Sequence, residues 1–299
     1  MENLINITQL DPDVKYWFIR SDSGQHFEAF LDNDFIAIGW NAITLYDLTQ
    51  VPVEQTRQKI SNTYNIPLNS KSNRRAVTGI YNKLKNFIEL KQGDIIFIPS
   101  QNSDQLAFGY IDSQTVTVDQ ENIQGCNYYK KRRVQWLTGP ININSLDPTF
   151  FKIRRPRHAI SEISKEYQYY IDSVLFNLYE KDNSTHFVIR VTEQNEINLV
   201  TLSKVLSDLS ELMSVVQDKF GLNEDITQST IRINLQSPGL FNIKHLGATL
   251  GLVACLIGVQ GCREQQSEEV IKRINEIEAQ YPELVDSSRI NMANMGVKL

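Results

Sequence analysis

The stretch KQGDIIFIPS, residues 91–100, decides how the front of this chain folds. Gly93-Asp94 is a tight-turn pair directly before the β-branched run 95–98, so it predicts a turn followed by a strand. A polar turn separates this strand from a second apolar run at residues 106–111, and YYKKRRVQWL, residues 128–137, predicts a third strand. The three runs predict an antiparallel meander with a basic, aromatic end. That combination favours a polyanion carrying flat rings, because cations neutralise phosphates while aromatic faces stack on bases.

The size and charge of the chain set its outer limits. A length of 299 residues exceeds the usual size of one core and predicts two domains, which we place at residues 1–157 and 158–299. The formal net charge of −5 conceals an asymmetry. Residues 1–157 carry 18 Lys and Arg against 16 Asp and Glu, which leaves 12 against 19 for residues 158–299. The front half is therefore the expected polyanion binder.

The cysteines indicate neither a metal site nor a disulfide scaffold. Cys126, Cys255 and Cys262 form no CxxC pair and have no ligand spacing with the four histidines. We therefore expect no structural zinc, no disulfide framework and no cofactor. The N-terminus lacks a basic region followed by an apolar run, so the cytoplasm is the expected compartment.

The front half alternates strand and helix signals. Residues 14–20 and 35–40 predict strands, and the apolar spacing over residues 53–64 and 77–88 predicts two helices. The meander follows these helices. The order predicts an α+β fold in which helices flank a small β-barrel.

Five short motifs in this half carry a resemblance to a known family. They are YWFIR (16–20), IAIGW (36–40), GDII (93–96), FGY (108–110) and RRVQW (132–136). This succession resembles the EVE-like branch of the PUA superfold and is similar to the N-terminal reader modules of modification-dependent restriction and anti-phage proteins. The resemblance implies a barrel with a concave pocket that accepts a base extruded from a duplex, often a modified one.

A flipped base needs ring faces on both sides and cations along the distorted backbone. The candidates for the ring sandwich are Trp17, Trp40, Tyr110 and Trp136. The candidates for backbone contacts are Arg74, Arg75, Lys130, Lys131, Arg132 and Arg133. Two alternatives stay open for these residues. Each Trp could instead pack in the core, and strand alternation sends only about half of the four consecutive cations to any one face.

The rear half begins a second, helix-rich α+β domain. Residues 187–191 predict a strand, and residues 199–220 predict a helix that Gly221 closes. Residues 246–262 carry no charge and predict an apolar helix. This helix is shorter than the roughly 20 residues of a membrane span. It could pack inside the protein, form an oligomer interface or insert into a membrane.

Motifs for catalysis are missing: the sequence has no Walker-type phosphate loop, no HExxH and no GxSxG. The sequence favours a non-catalytic sensor that recognises a nucleobase in DNA, RNA or a small nucleotide, acts in defence against foreign DNA and assembles as a homo-oligomer. One alternative is a membrane-acting or oligomerising effector that uses residues 246–262. A further alternative is a nuclease with an unrecognised site.

Overall fold

A computed structural model describes residues 4–20, 22–155, 158–191, 198–233 and 239–297. Its strands are β1 (Thr8–Gln9), β2 (Tyr16–Ile19), β3 (Phe35–Ile38), β4 (Ile95–Pro99), β5 (Gln105–Ile111), β6 (Thr117–Val118), β7 (Lys130–Trp136), β8 (Ile141–Asn142), β9 (Ile160–Glu162), β10 (Leu178–Lys181), β11 (Ser184–Val191), β12 (Thr230–Ile233) and β13 (Gly239–Leu246). Its α-helices are α1 (Phe27–Asp32), α2 (Leu45–Thr49), α3 (Val53–Thr63), α4 (Lys71–Ile88), α5 (Phe150–Ile153), α6 (Lys165–Leu175), α7 (Leu199–Phe220), α8 (Thr249–Ile257), α9 (Glu268–Gln280) and α10 (Pro282–Asn294).

The chain divides into two compact units. The front unit comprises residues 14–170, and the rear unit comprises residues 1–13 and 171–299. The sequence places the division after Arg157, which lies outside the described residues. The front unit continues past that point because β9 pairs antiparallel with β2. Residues 1–13 join the rear unit because β1 pairs in parallel with β10.

The front unit is built on a mixed sheet. The main strand order is β3-β7-β5-β4-β2-β9, and the sheet curls into a half-barrel. β4 pairs antiparallel with β5, and β5 pairs antiparallel with β7, so the predicted meander is confirmed. The predicted α+β class is confirmed as well. β2 is the exception to antiparallel order because it runs parallel to β4.

Helix α4 covers the apolar side of this sheet. The side chain of Ser70 accepts a hydrogen bond from the backbone of Asn73 and caps the helix. The buried residues of α4 recur at three- and four-residue spacing, so one stripe of the helix joins the core. That stripe comprises Val77, Ile80, Tyr81, Leu84 and Phe87. The opposite side of α4 stays polar.

The rear unit has a sheet of order β1-β10-β11-β13-β12. Its core contains buried residues of α7 and α8 together with alternate residues of β11 and β13. Helix α7 has the bounds that the sequence predicts, from Leu199 to Phe220. Asn198 caps its N-terminus, and Gly221 ends it in the left-handed conformation at φ 64°.

The apolar stretch 246–262 forms a strand end, a short helix and a turn. Leu246 is the last residue of β13, Gly247 has φ 97°, and Gly258, at φ 96°, caps α8 after its last residue. These two left-handed positions break the predicted 246–262 helix, which is therefore corrected to the nine residues of α8. All nine are buried. Among the described helices, none has both the length and the apolar character to cross a membrane.

The structure also corrects the expectation for the cysteines. Cys255 in α8 and Cys262 form a disulfide with their Cα atoms 5.1 Å apart. The turn that contains Gly258 brings these residues together, although their sequence spacing matches no motif. Cys126 in the front unit is buried and unpaired as a thiol.

Candidate functional site

A cavity of about 330 Å³ opens in the front unit, at the ends of β2 and β3 and beside α4. Its size lies at the low end of the range of small-molecule pockets, which is roughly 300–1,000 Å³. Its walls combine aromatic rings, aliphatic side chains and both signs of charge. The lining residues are Ile19, Arg20, Asp22, Ser23, Ala37, Ile38, Gly39, Trp40, Lys83, Phe87, Tyr128 and Ala159.

Trp40 supplies the largest ring of this lining. It follows β3 with a left-handed backbone at φ 54°, which is uncommon for a bulky residue. The ammonium of Lys130 donates hydrogen bonds to the backbone carbonyls of Trp40, at 3.1 Å, and of Ile43, at 3.0 Å. These bonds fix the turn that points the chain away from the sheet. The Nζ atom of Lys83 lies 5.5 Å from the centre of the Trp40 ring, in cation–π range.

We expect Lys130→Met to remove a pH dependence of stability. Burial lowers the pKa of Lys130 from 10.5 to about 8, and the charge of Asp47 opposes this shift. Between those values the unfolded chain binds more protons than the folded chain, so the free energy of unfolding rises with pH. The parent should gain up to about 1 kcal/mol per pH unit relative to the variant. Urea unfolding of both proteins, followed by tryptophan fluorescence across this window, measures the difference. Equal slopes would contradict the assignment.

Asp22 and Tyr128 form the polar edge of the cavity. The charge of the Asp22 carboxylate acts on the hydroxyl of Tyr128. Burial, followed by the charge of Asp22, raises the pKa of Tyr128 to about 12, so this hydroxyl keeps its proton. The ring of His26 meets Tyr128 edge-on, with centroids 4.8 Å apart. Burial lowers the pKa of His26, and the charge of Asp22 opposes this shift.

Gly39 lets Tyr128 approach the end of β3. A Cβ atom at this position would lie 3.0 Å from Cε1 of the Tyr128 ring. That distance is shorter than an ordinary carbon–carbon contact, so any side chain there would displace the ring. The glycine therefore helps to set the width of the cavity.

Arg20 is the cation closest to the β2 end of the cavity. Its guanidinium carbon lies 5.6 Å from the centre of the Phe18 ring, and its Nη2 donates a 3.4 Å hydrogen bond to the carbonyl of Arg154. Its Nε is buried and has no hydrogen-bond partner within the described part of the chain. A buried donor of this kind favours an acceptor or an anion supplied by a ligand.

The four ring residues predicted from the sequence lie in different surroundings, and only Trp40 lines the cavity. Trp17 is 5% exposed, and its indole nitrogen donates a 3.0 Å hydrogen bond to Asp94. Tyr110 is half-buried, and its hydroxyl is hydrogen-bonded to Gln135. Trp136 is half-buried and donates a 3.2 Å hydrogen bond to the carbonyl of Phe30.

Three of the predicted phosphate contacts are internal. Lys130, described above, is the first of them. Lys131 is 5% exposed and donates hydrogen bonds to Asp119, at 2.7 Å, and to the carbonyl of Glu121. Arg132 is fully buried and donates to both the hydroxyl and the carbonyl of Ser113. The physical reason is that each cationic group reaches acceptors of the protein itself: the carbonyls of Trp40 and Ile43 for Lys130, Asp119 for Lys131, and Ser113 for Arg132. This placement corrects the expected open cationic surface.

The remaining predicted cations are exposed. Arg133 lies on β7 with its side chain in solvent. Arg74 and Arg75 lie in the first two turns of α4, and Nη1 of Arg74 donates a 3.1 Å hydrogen bond to the carbonyl of Leu68. These three cations are free to meet a polyanion in solution. Their contribution stays a prediction.

Sequence reasoning missed several lining residues. Asp22 and Ser23 come from a turn signal, SDSG, that predicts only a change of direction. Lys83 and Phe87 belong to α4, where the helical period predicts burial but not proximity to Trp40. The sequence predicts that Tyr128 belongs to the third strand, but it precedes β7. The aromatic residue before a basic run was the signal that could have identified it.

Part of the chain is similar to a known protein family. Residues 17–154 match a protein-family model described as a domain of unknown function (DUF8426). No curated protein matches the chain in sequence.

Three solved structures resemble part of the chain. The YTH domain of Zygosaccharomyces rouxii MRB1, in complex with N6-methyladenosine RNA, is 17% identical over 57% of this chain and 94% of its own, with a TM-score of 0.31. The Pho92 YTH domain, in complex with m6A, is 15% identical over 58% of this chain and 91% of its own, with a TM-score of 0.30. Protein Atu2648 from Agrobacterium tumefaciens is 14% identical over 52% of this chain and 90% of its own, with a TM-score of 0.24. At these TM-scores the likeness establishes neither the fold nor a ligand for this chain.

Proposed function

We propose that the front unit is a reader that binds one nucleobase, displaced from a nucleic-acid strand, in the cavity beside Trp40. One observation carries the proposal: a cavity of about 330 Å³ is lined by a large aromatic ring, by hydrogen-bonding groups at one edge and by two cationic side chains. A volume this small suits a single heterocycle better than a peptide or a lipid chain. The resemblance of residues 16–136 to EVE-like readers supports the same class of ligand.

The aromatic wall fits the needs of a flipped base. Bases leave the stack only when a pocket replaces the lost stacking with ring or apolar contacts. Trp40 is half-buried and Phe87 is fully buried, so Trp40 is the ring of this wall that a base can reach. Every base has a π-face, so such a wall accepts a base before any hydrogen bond selects among them.

The cations fit a charged backbone. Arg20 and Lys83 both line the cavity. Phosphates on either side of a displaced base would meet these side chains first, and the exposed Arg74, Arg75 and Arg133 would extend the contact. Trp17, Tyr110 and Trp136 then contribute through the packing of the sheet rather than by stacking on the ligand.

Trp40→Ala is expected to weaken binding to an oligonucleotide by roughly 10- to 100-fold, because stacking is worth about 1–3 kcal/mol per base. Fluorescence anisotropy with labelled oligonucleotides measures the loss. The matched control is Trp136→Phe, which alters a half-buried tryptophan outside the cavity lining. An abasic site at the central position should bind the parent as weakly as the variant binds the intact strand.

Two results would reject the reader proposal. One is equal binding of intact and abasic strands by the parent. The other is an unchanged affinity in the Trp40→Ala protein. Comparing plain with modified duplexes in the same assay tests the wider proposal that the protein senses foreign DNA, which requires tighter binding to one of the two. Size-exclusion chromatography with light scattering tests the proposed homo-oligomer.

A further inference from the structure

We propose that Ser229, in the rear unit, is an activated nucleophile that takes up the acyl group of small, activated esters. The Oγ atom of Ser229 lies 2.9 Å from Nδ1 of His245, and Nε2 of His245 lies 3.1 Å from Oε2 of Glu224. A nucleophile, a base and a carboxylate that orients the base are thus joined by hydrogen bonds. The same three roles activate serine hydroxyls on several unrelated folds. This activity is separate from base binding by the front unit.

The carboxylate sets the direction of the hydrogen bonds in this triad. Burial opposes ionisation of Glu224, but hydrogen bonds, first of all that from His245, lower its pKa to about 2. An ionised carboxylate can only accept, so Nε2 of His245 carries the proton. Nδ1 therefore accepts from the Ser229 hydroxyl, which makes no other hydrogen bond within the described part of the chain. The neutral imidazole is placed to remove the hydroxyl proton.

The fold holds the triad in place. His245 lies on β13 with its side chain fully buried, and Glu224 accepts three hydrogen bonds from the N-terminal end of α8. Ser229 follows the short 3-10 turn Ile226–Gln228, which the side chain of Asp225 caps. The backbone N–H of Ser229 donates a 3.1 Å hydrogen bond to the carbonyl of residue 226. The base and the nucleophile therefore meet without a rearrangement.

Ser229 is the member of the triad that a substrate can reach. It is half-buried, whereas the side chain of His245 is enclosed. Ser229 directly precedes β12, which is the last strand in the order of the rear sheet, so the outer edge of β12 meets no other strand of the described chain. Strand alternation places Ile231 on the same face as Ser229. Ile231 is 39% exposed and offers an apolar contact to an acyl chain.

The chemistry that this triad supports is acyl transfer to water. Oγ of Ser229 bonds to the ester carbonyl carbon while its proton passes to Nδ1 of His245, and the alcohol leaves with that proton. Water then attacks the acyl-serine and gives a proton to Nδ1, and the serine oxygen leaves with it, which releases the carboxylic acid. The two ring nitrogens exchange their roles relative to the serine-protease triad, but the proton transfers are the same.

The neighbouring backbone limits the substrates. The N–H groups of Ala248 and Thr249 already donate to Glu224 and cannot also stabilise an oxyanion. The ester must therefore supply much of its own reactivity through a good leaving group. Activated esters of small carboxylic acids are the expected class.

A fluorophosphonate probe tests the proposal on the intact chain. Oγ of Ser229 would bond to phosphorus, fluoride would leave, and the hydroxyl proton would pass to His245. Peptide mass spectrometry then maps and times the adduct. We expect Ser229 to be labelled at least about 100-fold faster than Ser207, an exposed serine of α7, because a positioned general base contributes about 10²–10⁴-fold. The protein should also hydrolyse p-nitrophenyl acetate, and Ser229→Ala should abolish both reactions. Ser207→Ala is the matched control and should keep both.

His245→Gln separates catalysis from structure. A carboxamide can still donate to Glu224 and accept from Ser229, so the variant should keep the far-UV circular dichroism of the parent. An amide is not a base, so the labelling rate of Ser229 should fall to about that of Ser207. A folded His245→Gln protein that keeps the full rate would overturn the proposal. Labelling of Ser229 in the parent no faster than that of Ser207 would overturn it too, whether or not the variant folds.

Discussion

Gly24→Ala is expected to lower the free energy of unfolding of the front unit by about 3 kcal/mol or more, and to abolish base recognition with it. A Cβ atom on Gly24 would lie 2.3 Å from the Cα atom of Gln101, which is backbone and cannot rotate away. The residue also has φ 90°, where an L side chain is strained by about 1–2 kcal/mol. The clash adds an overpacking cost of about 1–3 kcal/mol. The turn that places Asp22 would have to move.

Gly93→Ala separates the two causes. Gly93 has the same φ of 90°, but a Cβ atom there would meet nothing within 4 Å. Backbone strain alone should therefore lower the free energy of unfolding of the Gly93→Ala protein, by roughly 1–2 kcal/mol. All three tryptophans lie between residues 17 and 136, so tryptophan fluorescence during urea unfolding reports on the front unit. Similar midpoints for the two alanine variants would contradict the close approach at Gly24.

Glu224→Ala is expected to cost the rear unit about 3 kcal/mol, because it leaves several donors without an acceptor. The carboxylate accepts hydrogen bonds from the backbone of Ala248, at 2.8 Å, and of Thr249, at 3.0 Å. It also accepts from the Thr249 hydroxyl and from Nε2 of His245. These bonds place a negative charge at the N-terminus of the buried helix α8, where the helix dipole favours it.

The same carboxylate makes the rear unit sensitive to acid. Burial alone would raise the pKa of Glu224, but the hydrogen bonds from His245 and Thr249, together with that from the Ala248 backbone, lower it to about 2. The folded chain therefore binds fewer protons than the unfolded chain between pH 4.5 and 2, and stability falls as the pH falls through this range. We expect about 2 kcal/mol of loss, which is less than the full shift implies, because 19% of the side chain is exposed and water screens it.

Far-UV circular dichroism during urea unfolding, repeated from pH 7 to pH 3, measures both effects. Glu224→Gln should lose most of the stability that the Glu224 carboxylate contributes, since its amide nitrogen would face donors. It should also lose most of this acid dependence. The exposed Glu276→Gln in α9 is the matched control and should follow the parent. An acid dependence that survives in Glu224→Gln would place its origin elsewhere. His186 is the next group to test, because burial lowers its pKa to about 4.

Local sequence determined most of the secondary structure. The β-branched run after Gly93-Asp94 forms β4, as its propensity predicts. Helix α7 begins and ends at the predicted residues, because its apolar spacing and its Gly221 cap are both local features of the sequence. The α+β class followed from the order of these signals. These features are predicted from neighbouring residues, and only the pairing partners of β4, which are β2 and β5, come from elsewhere in the chain.

Tertiary structure decided which residues form the site. Trp17 lies within the apolar strand β2 and Trp40 follows the apolar strand β3, yet Trp17 is hydrogen-bonded to Asp94 and Trp40 lines the cavity. Strand alternation could not predict that distant acceptors would pair with three of the four cations of β7, which therefore lie inside. The apolar run 246–262 predicts one helix, but two left-handed glycines divide it. Propensity and period act within a few residues, whereas burial and charge partners are set by neighbours that only the folded chain brings together.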